Sequence, residues 1–97
     1  MMKPIIHLNG SDGGTLFKAY LEAVHAMRDA LGKLYETAPN GRDYYLADKA
    51  GEMPAIQIAL SEHGARVTAL DKVYRELEEL AVHVSDQQDA RNSRRAS

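Results

Sequence analysis

The sequence predicts an all-α protein: an antiparallel helical hairpin, coiled-coil-like, that assembles into a helical bundle as a homo-oligomer. Three observations carry this expectation. Apolar residues recur at alternating spacings of three and four along two stretches, Phe17, Tyr20, Val24, Met27, Leu31, Leu34, Ala38 and then Ile56, Leu60, His63, Val67, Leu70, Tyr74, Leu77, Ala81, Val84. Written as heptads these are a/d seams, and such a seam needs a partner helix along its length. Pro39-Asn40-Gly41 stands between the stretches and stops the first. The stripes are also wider than a two-helix seam uses, with Leu21 and Tyr35 extending the first and Val73 and Leu80 the second. A four-helix bundle built from two hairpins would use that width.

Residues 1–14 form an N-terminal segment, extended over 2–10, where Ile5 and Ile6 are β-branched and Pro4 discourages helix. Asn9-Gly10 and Gly13-Gly14 are turn signals, and Ser11, Asp12 or Thr15 can cap a helix begun there. A first helix is predicted over 15–37, with Lys18–Glu22 and Asp29–Lys33 spaced i,i+4 on its outer face. An irregular loop covers 38–53, long for a helical hairpin. Pro54 suits a first helical turn, and a second helix is predicted over 54–84, laced by Glu62–Arg66, Asp71–Arg75 and Lys72–Glu76. Residues 85–97 are polar and rich in Arg and Ser, which predicts a disordered tail.

Ninety-seven residues allow one small domain, here 1–97. Ordering the chain costs roughly 1.5 kcal/mol per residue, which a two-helix core barely offsets. A homo-oligomer, foremost a dimer, is therefore expected, with Leu21, Tyr35, His63, Val67, Val73 and Leu80 at its interface. No apolar run is long enough for a membrane span, and the N-terminus has no cleavage pattern of a signal peptide. The absence of cysteine excludes disulfides and thiolate chemistry and fits a reducing cytosol. A formal charge of −2 argues against general nucleic-acid binding.

The richest candidate site is the loop. Arg42 offers a fork of donors for a phosphate, Tyr44 and Tyr45 offer π faces for a base, and Asn40 and Asp43 can reach ribose or base edges. Alternatively, the tyrosines fold back over the open end of the bundle and Arg42–Asp43 stabilises a turn. Ser11-Asp12-Gly13-Gly14-Thr15, with Lys18 one turn on, suits a weak phosphate nest or a plain helix cap, and it lacks the P-loop pattern. Glu22 and His25 have the i,i+3 spacing of di-iron bundles, but the second helix offers only Glu79 and His83 at i,i+4. No metal and no cofactor are expected. His63 beside Gly64 reads as a core histidine at a close helix contact, or as a polar device that fixes register. Neither Ser11 nor Ser61 sits in a nucleophile elbow, and no acid, base and cradle come together, so no enzyme is read.

Ile6-His7-Leu8-Asn9-Gly10-Ser11 before the first helix and Ala38-Pro39-Asn40-Gly41-Arg42-Asp43-Tyr44-Tyr45 after it resemble small accessory proteins encoded by tailed phages and prophages of Gram-negative bacteria. The likeness covers most of residues 5–84, and the octapeptide is its specific part. It transfers no catalytic residue. It implies action in the bacterial host cytoplasm, with counter-defence as one setting, either by sequestering a nucleotide second messenger at an oligomer interface or by docking on a host protein. A structural or morphogenesis role stands beside these.

Overall fold

A computed structural model describes residues 1–6 and 12–96, the last four by backbone alone. Two helices dominate it, α1 (Gly13–Tyr35) and α2 (Ala55–Ala96). They run antiparallel, with Gly13 beside Gln88 and the Arg28 guanidinium donating to the Tyr74 hydroxyl at 2.9 Å. The same register places Tyr35 opposite Val67. The described residues are all-helical or irregular, with no strand among them.

Asp12 starts α1. Its carboxylate accepts from the Thr15 backbone N–H and from the Thr15 hydroxyl, both at 3.2 Å, leaving an exposed helix end satisfied. Thr15, another predicted cap, lies inside the first turn, and Ser11 and the Asn9-Gly10 turn lie in residues 7–11, outside those described. The helix ends at Tyr35, two residues before the predicted limit, and Thr37 folds back to donate from its hydroxyl to Leu34 O at 2.7 Å. Lys33 pairs with Glu36 at 3.7 Å rather than with Asp29. On α2, Glu62–Arg66 and Asp71–Arg75 form as the spacing predicts, at 3.8 and 2.8 Å.

The connection contains two 3-10 turns, Gly41–Asp43 and Tyr45–Ala47, and no longer helix. Gly51 takes a φ of 79°, a left-handed conformation that glycine adopts at little cost. Asp48 then reaches forward, and its Oδ1 accepts from Ala55 N at 2.7 Å, tying the loop to the start of α2.

The largest departure from expectation is the tail. Where composition predicts disorder from residue 85, α2 continues to Ala96, a helix of 42 residues in all. Two causes are visible. No Gly or Pro follows Gly64, and Gln, Arg and Ala are good helix formers. The N-terminal arm, Met1–Ile6, also docks on α2. Gln87 Oε1 accepts from Ile6 N at 2.8 Å, Gln87 Nε2 donates to Pro4 O at 3.1 Å, and Lys3 pairs with Glu79 at 3.0 Å. Those contacts hold the first turn of the expected tail.

The core is thin. Only Val24, Leu31, Ala81 and Val84 are buried apolar residues among those described, and Val84 alone is fully enclosed. Phe17, Tyr20, Met27, Leu34, Val67, Leu70, Tyr74 and Leu77 are half-buried along the two seams. Leu60 is a seam position that stays 47% exposed, because α1 ends before reaching it. The molecule measures 73 × 21 × 20 Å with a radius of gyration of 20.9 Å. A compact chain of this length would have about 12.5 Å.

Candidate functional site

The loop exposes most of its residues, with Tyr44 half-buried. Asn40 Nδ2 donates to Asp43 Oδ2 at 3.0 Å, which closes the first 3-10 turn. Between them Arg42 is exposed and forms no ion pair among the described residues. Tyr44 is half-buried, whereas Tyr45 is 64% exposed and Leu46 85%. The loop tyrosines are therefore not both folded over the bundle end. Lys18 does not join this group within one chain. It sits on α1 about 26 Å along the helix from its loop end.

The predicted interface residues divide by position. Leu21 (38%), Tyr35 (58%) and Val73 (39%) are exposed, and His63, Val67 and Leu80 are half-buried. His63 makes no hydrogen bond among the described residues. A Cβ at Gly64 would meet nothing within 4 Å, so the expected close helix contact there is absent from the single chain. The nine-residue offset of Val82 from Val73 puts them on opposite sides of α2.

A second region went unread in the sequence. Phe17, Leu21 and Val24 of α1 and Ala81 and Val82 of α2 line a groove of about 270 Å³, rimmed by Glu78 and Asp86. It continues past Val82 into a depression of about 430 Å³ bounded by Lys3, Glu79 and His83. The arm forms the far wall. His83 Nε2 lies 2.8 Å from Pro4 O and 2.6 Å from Gln87 Nε2. One ring nitrogen serves only one of these: bearing hydrogen it donates to Pro4 O, and in the other tautomer it accepts from Gln87. The i,i+4 spacing of His83 and Gln87 was the available signal, but nothing local identifies residues 4–6 as their partner.

The electrostatics are those of a surface. The Tyr74 hydroxyl, accepting from Arg28, pushes that guanidinium further above its ordinary range, with the cation 5.9 Å over the tyrosine ring. The Asp71 carboxylate does the same for Arg75. Both are permanent cations that stitch the exposed faces. Among the described residues no group of three His, Asp or Glu is placed to hold a metal ion, and no helix is long and apolar enough to cross a membrane. No family model, curated protein or solved structure matches the chain.

Proposed function

We propose that the protein is a non-enzymatic accessory protein that assembles with itself and sequesters an anionic, nucleotide-like ligand at the loop Asn40–Tyr45. The observation that carries this reading is Arg42, exposed and without a carboxylate partner among the described residues, two positions before a pair of tyrosines. Asp43, the neighbouring acid, accepts from Asn40 and forms no ion pair with Arg42. An arginine grips phosphate through two parallel N–H bonds worth roughly 1.5–3 kcal/mol each. A tyrosine face adds about 1–3 kcal/mol per stacked base. The likeness of the octapeptide 38–45 to phage-encoded proteins supports a counter-defence setting, in which a nucleotide second messenger is withdrawn from solution.

Calorimetric titration with a panel of mononucleotides and cyclic nucleotides tests the reading. Micromolar or tighter binding is expected for at least one of them. Arg42→Ala should weaken it at least tenfold, the loss of one charge-assisted contact, with melting temperature unchanged. No heat with any nucleotide would remove the reading. A second reading, an inhibitor or adaptor of a host protein, is favoured by Ile58 and Leu60, each 47% exposed on the part of α2 that α1 does not cover. For that role a host protein, not a nucleotide, should raise the melting temperature.

A further inference from the structure

The hairpin leaves a groove without an occupant and an apolar knob without a socket. The groove is the cleft of Phe17, Leu21, Val24, Ala81 and Val82 with its acidic rim of Glu78 and Asp86. The knob is Tyr45-Leu46, 64% and 85% exposed, flanked in sequence by Arg42 and Lys49. Neither cation has an ion-pair partner among the described residues, although Asp43, Asp48 and Glu52 stand in the same loop. An exposed apolar pair and an open, largely apolar cleft thus both stand uncovered, and one chain cannot bring them together. Val82 and the start of α2, where the loop is tied, lie about 40 Å apart along that helix.

We propose that a second copy of the chain lies antiparallel to the first and seats its Tyr45 and Leu46 in this groove, with the reciprocal contact at the other end. A two-fold axis near the middle of the long helices generates both contacts at once. The area agrees. The chain exposes 7337 Å², whereas a compact protein of 10.7 kDa exposes about 5500 Å². The excess, about 1800 Å², falls within the roughly 1000–2500 Å² that each partner of an obligate dimer buries. The pairing also recruits Lys18. It is one helical turn from Leu21, on the side of α1 that borders the groove, so Lys18 of the partner subunit comes beside Arg42 and the loop becomes a two-cation site. That last step rests on the reading of the loop as an anion site, and the contact itself does not.

Cross-linking tests the contact, and the chain's lack of cysteine makes it clean. Leu46→Cys and Val82→Cys proteins, mixed and mildly oxidised, should give a covalent heterodimer, because a disulfide needs Cα atoms within about 7 Å. Leu46→Cys alone should give only background. Arg42→Cys mixed with Lys18→Cys should join through a short bis-maleimide linker. Leu46→Asp should weaken the dimer at least tenfold, because it places an unpaired charge in an apolar cleft. A monomer by light scattering at micromolar concentration, or a dimer whose mixed variants do not cross-link, would overturn the proposal. Cross-linking by a protein that binds no nucleotide would sustain the contact and remove the loop reading. Nucleotide binding by a protein that never cross-links would do the opposite.

Discussion

Gln87 meets the extended backbone of the arm as another strand would, accepting from one N–H and donating to the carbonyl two residues earlier. Each such bond contributes about 0.5–1.5 kcal/mol net, so Gln87→Leu is expected to cost about 1–3 kcal/mol in chemical denaturation and to abolish exchange protection at the Ile6 amide. Asp12 has a narrower task. Asp12→Ala removes the cap of α1 and should cost about 1 kcal/mol, read as a lower denaturation midpoint with unchanged slope. Of these two roles only the cap was visible in the sequence, because capping is local and its signature lies within four residues. The clamp joins positions 81 residues apart and has no local signature. The same distinction explains the loop. Arg42 and the tyrosines could be named from composition, but whether the tyrosines cover the bundle end depends on tertiary contacts, and Tyr45 stays outside.

The seams placed both ends of α1 and the start of α2 to within two residues, since a 3.6-residue period reports burial directly. The prediction failed where the seam ran out. From residue 85 α2 has no apolar stripe, and what holds it is the arm and the start of α1 as far as Gln88, then helix propensity alone. Beyond Gln88, opposite the first residue of α1, the last turns have no partner helix. They should exchange amide protons fastest of all α2, because isolated helical turns are marginal in water. At the opposite end Gly64 faces open space, so Gly64→Ala should raise stability by about 1 kcal/mol in a thermal melt. Destabilisation instead would mean that another chain closes on that glycine. Near the start of α1, Val84→Ala empties the one side chain fully enclosed among the described residues and should cost roughly 2–3 kcal/mol.

Among the described residues only four apolar side chains are buried along a rod of 73 Å, a thin interior for one chain. Melting temperature should therefore rise with protein concentration, as it does whenever the native state is completed by mass action. A concentration-independent melt over two decades would contradict self-assembly. The hairpin architecture was legible because it comes from two amphipathic stripes and a stop between them. How one hairpin would lie on another was not, since stripe width carries no direction. In the proposed dimer, direction is set by where the exposed Tyr45-Leu46 and the groove fall along the rod.

The arm has one more consequence, and it concerns time. Residues 4–6 leave the ribosome long before residue 87, which holds them. At about 5–20 residues per second, roughly 4–16 s pass before the side chain of the clamp has been made. Through that interval the Ile6 N–H has no partner. Joining Ile6 to Gln87 then closes a loop of 81 residues, the entropically dearest kind of contact in the fold. A segment made early is thus among the last secured. A chain ending just before Gln87 would keep the Lys3–Glu79 and His83–Pro4 contacts but lose the hold on Ile6, so an unprotected Ile6 amide would mark every copy truncated ahead of that residue.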